Sequence, residues 1–400
     1  MAGLATGQSI VVADKMLEGA GIKVVQDEVT RVDPVKKTVN VAGGRVFSYD
    51  KLFLATGASA IVPPIEGKDL AGVMTLRGLP DAEKIKSFIA ERNAVNIVFI
   101  GAGFISMEIA SLLAENTQRE LNVSIVEFMN RPLPLMLDKD MADGVQAYLE
   151  EKGLKIFTNE KAEKIIGNGK VSGVLLGSGK KLDADLVFIN VGARANVELA
   201  EQIGLEMGRF GIKVNQYQET SNPDILAGGD CVEKINFLTK KPTPGRLRGP
   251  AVMQGRLAAK RLAGYDIAFP GVLDAGGCKM FDMTISATGF SEERAAEEGF
   301  QTVCAIVDSR SKHGMIPGMK PWKIKLIFDK KTQKLIGGQI VSHAVSPAKE
   351  IDAVTAFILA GKTIPELTTF TCACNPDISS EPSAEPITIA AEQALQKLKL

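Results

Sequence analysis

The hydrophobic pattern alternates short buried runs with amphipathic segments. Residues 96–100 (NIVFI) form a continuous apolar run, as expected of a strand buried on both faces of a parallel sheet. Ile105, Ile109, Leu112 and Leu113 follow at helical spacing and predict a helix with one apolar face. Residues 123–126 read as a second buried strand. Upstream, residues 9–17 have helical spacing, 22–32 read as a strand, and 38–42 as its hairpin mate across the Asp33-Pro34 turn. Residues 46–54 predict another strand and 81–92 a short amphipathic helix. Downstream come a helix at 140–152 ended by Gly153, a strand at 154–157, a meander over 160–183 with glycine turns, and a buried strand at 186–191. The apolar run 225–230 ends in Gly-Gly-Asp, and 249–264 predict a helix with small residues near its start. From 276 onward the pattern is α+β, with strands at 278–286, 302–307, 322–328 and 334–341 and helices at 291–298, 348–359 and 385–398.

The centre of this pattern carries chemistry. The run 96–100 leads directly into Gly101-Ala102-Gly103 and then into the predicted helix. Gly101 permits a tight turn, and Gly103 lets a pyrophosphate approach the backbone at a helix N-terminus. Ser106 stands where a third small residue allows close helix–strand packing. The second strand ends at Glu127, about 20 residues past the glycines, where a dinucleotide fold places the carboxylate for a ribose 2′-OH. Strand, turn, helix and terminal acid together predict dinucleotide binding. Glu127 favours NAD(H) over NADP(H), and Arg131 close behind moderates that preference.

Composition narrows the classes of partner. Lys+Arg and Asp+Glu are 47 each, so the net charge is zero, which gives no sign of nucleic acid or an anionic membrane. No apolar run approaches the ~20 residues of a membrane span. The N-terminal stretch lacks a basic region and an apolar signal core, and the expected location is the cytoplasm. Five scattered cysteines give no disulfide framework, and two histidines, His313 and His343, give no zinc pattern.

Six motifs in order, ATGASAIVPP (55–64), GAGFISMEIA (101–110), VGARAN (191–196), LAGGD (226–230), GPAVMQGR (249–256) and KLIFDKKTQKLIGGQIV (325–341), resemble the FAD-dependent pyridine nucleotide-disulfide oxidoreductases. The likeness is strongest to the branch of NADH oxidases, coenzyme A-disulfide reductases and rubredoxin or ferredoxin reductases. The resemblance implies an α/β fold class with two Rossmann-like nucleotide-binding domains, the first N-terminally truncated, plus a C-terminal α+β dimerisation domain. The implied boundaries are 1–79 and 193–275 for an incomplete FAD-binding domain, 80–192 for the NAD(H)-binding domain and 276–400 for dimerisation. Toward NADH it implies Gly101, Gly103, Phe104, Ile105, Glu108, Glu127 and Gly192, with Glu108 facing the nicotinamide amide. Toward FAD it implies Val29, Ala55, Thr56, Gly57, Gly229, Asp230 and Ala251, with Asp230 on a ribitol hydroxyl and the helix start at 249–252 facing the flavin pyrimidine ring. No catalytic side chain and no metal ligand is singled out.

The chain departs from the family pattern in three places. It begins after the unit that carries the glycine fingerprint for the ADP half of FAD, and Gly3, Gly7 and Gly19-Ala20-Gly21 do not replace that fingerprint. The run 313–318 lacks the tyrosine of the coenzyme A branch. Asn375 stands where family members place a proton donor near the C-terminus, and an amide does not titrate. Cys372 and Cys374 point to one side of an extended chain, as a dithiol or as two structural thiols. Cys231 reads as packing, and His313 as a surface histidine or a functional one. Two readings of function follow. One is a homodimeric FAD-dependent oxidoreductase that passes hydride from NADH to a disulfide, persulfide, oxygen or electron-carrier acceptor. The other is a non-catalytic NAD-binding subunit.

Overall fold

The computed structural model describes residues 7–92, 94–115 and 120–399. Gly3 and the rest of the first six residues lie outside the described residues. The chain divides into two compact units: residues 62–191 with 273–400, and residues through 61 with 192–272.

The first unit contains a parallel sheet in the order Val73–Met74, Leu186–Ile189, Asn96–Ile100, Asn122–Val126, Lys155–Phe157. Successive residues of a strand face opposite sides, so one apolar run serves two cores. Ile97, Phe99 and Ile125 pack against Ile85, Met107, Ala110, Leu113 and Met141 of three covering helices, Leu79–Arg92, Phe104–Ala114 and Lys139–Glu151. Val98, Ile100 and Val126 pack on the other face against Ile165, Val171 and Val174 of the meander Ala162–Asn168, Lys170–Leu176, Lys181–Asp183. Phe99 and Phe188 stack at 4.6 Å between ring centroids. Each fully buried side chain of this kind contributes roughly 1.5–3 kcal/mol. On Phe104–Ala114 the inner face is Ser106, Met107, Ile109, Ala110, Ser111 and Leu113. Leu112, expected on that face, is exposed.

The same unit holds an antiparallel sheet in the order Gly276–Met280, Met283–Gly289, Leu335–Ser342, Pro321–Asp329, Thr302–Arg310. Residues 278–286, read as one strand, are in fact a hairpin with Met280 opposite Met283. Helices Glu292–Glu297, Ile351–Leu359 and Pro386–Leu398 accompany this sheet. The fold class is therefore the expected mixed α/β one, with an α+β C-terminal part.

The second unit has less regular structure. Val29–Asp33, Thr38–Val41 and Val46–Ser48 make an antiparallel sheet, and Leu52–Leu54 pairs in parallel with Ile225–Ala227. Leu54, Ala200, Leu205, Ile212, Ile225, Ala227, Cys231 and Val232 form its core. The expected strand over 22–32 begins only at Val29; Ile22 and Val24 are exposed, and a strand without a neighbouring ladder gains nothing from extension. The helix expected at 9–17 is two short helices, Gly7–Ile10 and Asp14–Gly19, and 46–54 is split into two strands. Among the described residues no helix is long and apolar enough to cross a membrane, and no cluster of three or more His, Cys, Asp or Glu could hold a metal ion.

Candidate cofactor-binding site

In the first unit the glycine turn has two differently constrained glycines. Gly101 has φ +99°, and a Cβ there would stand 2.5 Å from the Asn190 carbonyl oxygen. It is required by the backbone itself. Gly103 has ordinary extended angles, φ −71° and ψ 169°, and a Cβ would meet nothing within 4 Å. Nothing in the fold demands glycine there; a Cβ would only enter the open space in front of the helix. Phe104 begins that helix, Ile105 follows, and no side chain caps it. An uncapped N-terminus presents N–H groups and a positive partial charge to an anion.

Glu127 follows the strand Asn122–Val126, lies beside this turn and is buried. Its Oε2 accepts from the Ala102 N–H at 2.7 Å and its Oε1 from the Met129 N–H at 2.8 Å. The carboxylate is thereby fixed against the turn, and each oxygen keeps acceptor capacity for a further donor. Arg131 is 3% exposed. Its Nε donates to the Leu137 carbonyl at 2.7 Å, its NH2 to the Pro134 carbonyl at 3.2 Å, and it pairs with Glu293. A guanidinium held this way is not presented to a ribose 2′-phosphate, which sharpens the preference that Glu127 suggests.

Glu108, one turn into the helix, accepts from the Lys279 N–H at 3.3 Å. Burial, with the Glu108 charge added, pushes the neighbouring Cys278 thiol up to about 12. Gly192, grouped with these residues from sequence, lies in the second unit, where its carbonyl accepts from Ile61 N–H at 3.0 Å. Sequence reasoning missed Asn190. It follows the strand Leu186–Ile189, its carbonyl flanks Gly101, and its Nδ2 is buried with no hydrogen-bond partner. The available signal was a lone amide in the apolar run LVFINVG. Open space at Gly103, an uncapped helix start and an orphaned buried donor all fit a dinucleotide.

Ser106 is fully buried, and its hydroxyl also has no partner. An unsatisfied buried hydroxyl costs about 1–3 kcal/mol. Ser106→Ala is expected to raise unfolding stability by up to ~1 kcal/mol, read as a higher denaturation midpoint; a lower midpoint would contradict the orphaned hydroxyl.

The second unit holds the residues expected around a flavin. Thr56 Oγ1 donates to the Asn196 carbonyl at 2.6 Å, and Asn196 Nδ2 donates to the Thr56 carbonyl at 2.9 Å. This pair fixes the turn Ala55-Thr56-Gly57, where Gly57 has φ +69° and open space beside it. Gly229 has φ +84°; its N–H donates to Gln254 Oε1 at 2.9 Å and its carbonyl accepts from Lys234 Nζ at 2.6 Å. The Ala251 Cβ is 3.8 Å from where a Gly229 Cβ would be. Asp230 follows in a short 3-10 turn, half-buried. The helix Arg248–Leu262 starts without a side-chain cap, Gly249 meets open space, and Val252 and Met253 are exposed. Val29, at the start of its strand, is also exposed. An open helix start flanked by apolar surface fits the polar edge and flat face of a flavin ring. For the ADP end, residues 11–28 form no strand, and Val11, Val12, Met16 and Ile22 are exposed. Among the described residues no second strand–glycine–helix cradle is present.

The remaining candidates separate cleanly. Cys231 is fully buried, with its thiol against the Gly228 carbonyl at 3.2 Å, and serves packing. His313 sits in a loop whose backbone N–H donates to the Pro376 carbonyl at 2.9 Å. Asn375 is occupied in the next turn, accepting from Asp377 N–H at 2.9 Å. Cys372 and Cys374 lie together, Sγ to Sγ 3.7 Å.

The chain is similar to known proteins along most of its length. A family model described as pyridine nucleotide-disulphide oxidoreductase matches residues 7–255, and the dimerisation domain of the same family matches 276–385. An NADH oxidase of Methanocaldococcus jannaschii is 38% identical over 351 residues, 88% of this chain and 77% of that protein. The solved NAD-dependent persulfide reductase of A. fulgidus superposes with a TM-score of 0.91 at 34% identity, covering 96% of this chain and 71% of that one. An FAD-dependent pyridine nucleotide-disulphide oxidoreductase from Desulfovibrio vulgaris has a TM-score of 0.81 at 30% identity, covering 95% and 91%.

Proposed function

The chain belongs to the pyridine nucleotide-disulphide oxidoreductase family, and we propose that it acts as an NADH-dependent flavin oxidoreductase, paired as a homodimer through residues 276–400. The observation that carries this reading is the empty space in front of Gly103 and the uncapped helix start at Phe104. When bound, NADH supplies a hydride and FAD takes it up and delivers two electrons onward.

The chain's own part is binding and orientation. Gly101 sets the turn, Gly103 admits the pyrophosphate, and the N–H groups of the helix start hold its charge. Glu127, fixed by two backbone donors, accepts from the ribose hydroxyls. Asn190 Nδ2 gains its missing acceptor from the same ligand. Glu108 is positioned toward the nicotinamide amide. In the second unit Asp230 accepts from a ribitol hydroxyl, the turn at 55–57 and Val29 border the cofactor, and Gly192 and Ala251 leave room for it. The start of Arg248–Leu262 favours negative charge on the pyrimidine edge.

The acceptor is a disulfide, a persulfide, oxygen or an electron carrier; the names of the relatives support oxygen-linked and persulfide-linked chemistry. An anaerobic titration of the FAD-loaded full chain with NADH is expected to bleach the flavin absorbance stoichiometrically. Admission of oxygen, a persulfide or a disulfide in separate runs then identifies the acceptor by the return of colour. A colourless chain that binds NADH and takes up no FAD would overturn the reading in favour of a non-catalytic NAD-binding subunit.

A further inference from the structure

We propose that Cys372 and Cys374 form a thiol–disulfide exchange site that reacts with low-molecular-weight disulfides. The two sulfurs are 3.7 Å apart, and the segment between them belongs to no helix or strand. A disulfide requires about 2.05 Å between sulfurs, a closure that backbone free of a hydrogen-bonded ladder can accommodate.

The segment is anchored on both sides. Upstream, Phe370 packs edge-on against Phe357, with ring centroids 5.1 Å apart, and its carbonyl accepts from Thr388 Oγ1 at 3.0 Å. Downstream, Asn375 N–H donates to Ser379 Oγ at 3.1 Å, and His313 N–H donates to the Pro376 carbonyl at 2.9 Å. Only Thr371-Cys-Ala-Cys lies between these anchors, so the thiols stay mutually close whatever their redox state.

The two thiols differ in access. Cys374 is exposed, while Cys372 is partly covered. Burial, and then the neighbouring Cys374, push the Cys372 thiol up to about 11. Since thiolate is the nucleophile, Cys374 attacks first and Cys372 resolves. The other three cysteines do not compete: Cys231 and Cys278 are buried, and burial raises Cys304 as well. With no third metal-type ligand in a cluster among the described residues, a closed zinc site is not the purpose of the pair.

The chemistry balances as follows. The Cys374 thiolate attacks one sulfur of RSSR, forming Cys374–S–S–R and releasing RS⁻, which takes up the proton that Cys374 lost. The Cys372 sulfur then attacks Cys374 Sγ, the bond to R breaks, and the second RS⁻ takes up the proton from Cys372. Two protein thiols and one RSSR become one intramolecular disulfide and two RSH.

The test uses the full chain and oxidised glutathione, without NADH. Thiol counting is expected to show loss of two thiols, and the peptide carrying residues 372 and 374 to become lighter by two hydrogens. Cys372→Ser is expected to accumulate a stable glutathione adduct on Cys374. Cys374→Ser is expected to react at Cys372 at least ~10-fold more slowly. Unchanged thiol counts, oxidation at Cys304 instead, or disulfide-linked chain dimers through these residues would each overturn the proposal. Both variants change exposed or partly covered side chains, and their denaturation midpoints verify that they fold.

Discussion

Gly103→Val is expected to abolish measurable NADH binding while leaving the fold intact. The backbone at Gly103 is extended, a conformation any residue adopts, and its Cβ would enter space with nothing within 4 Å. Stability should therefore change by no more than ~0.5 kcal/mol, the range for substitutions that disturb no contact. The same space is where a pyrophosphate must lie to reach the helix N–H groups. A valine there blocks van der Waals approach and should weaken binding by at least ~100-fold, or about 2.7 kcal/mol. Calorimetric titration with NADH, beside a denaturation curve, reads both quantities. Gly101→Ala is the control with the opposite signature. At φ +99° and 2.5 Å from the Asn190 carbonyl it strains the turn itself, so stability falls together with binding. If Gly103→Val bound NADH normally, the glycine turn would be structural and the proposed site would be lost.

How much of this was legible beforehand follows from how local each feature is. Asn96–Ile100 was readable to the residue, because a strand buried on both faces writes itself as an unbroken apolar run. The glycine turn was readable for a related reason: both glycines act within a few residues of themselves. The hairpin within 276–289 was not. Its two-residue turn carries Phe281 at φ +53°, a position that usually announces itself with Gly or Asn. Phe281 offsets that strain by packing edge-on to Tyr148, 6.3 Å between centroids, a contact spanning more than a hundred residues of chain. Residues 22–28 failed in the converse way: the apolar content was present and the neighbouring ladder was not. The position of Glu127 beside the glycine turn was legible by spacing. Its two backbone donors, the sequestering of Arg131 and the orphaned Asn190 amide depend on tertiary placement and left no local trace.

The feature hardest to foresee gives the largest stability effect. Lys325 lies in the apolar strand Pro321–Asp329, where a lysine would ordinarily mark the solvent face, yet it is 1% exposed. Its Nζ meets Asp138 at 3.1 Å, Asp140 at 2.7 Å and Glu292 at 2.5 Å. Asp138, itself buried, also accepts from Gln339 Nε2 at 2.7 Å and from the Glu292 N–H at 3.0 Å, so it caps the helix Glu292–Glu297 from a distant segment. The network thus ties the helix Lys139–Glu151 to the C-terminal sheet. Burial alone would lower the lysine's pKa, but the carboxylates of Asp140, Glu292 and Asp138 more than reverse this, and it stands above its ordinary 10.5. A raised folded value means that the stabilisation is complete below about 10.5 and is lost only as pH climbs through the folded value. Stability from this source should be flat from about pH 6 to 9. Lys325→Met leaves Asp138 buried and short of its counter-charge, a loss that typically costs about 3–5 kcal/mol. Trp322, the sole tryptophan, is buried on the same strand, so its fluorescence reports unfolding where the substitution acts. Adding Asp138→Asn to Lys325→Met should cost less than the sum of the two single changes, because the orphaned charge is removed with its partner. A single-variant cost below ~1 kcal/mol, or strict additivity in the double variant, would show that the pair carries no stability of its own.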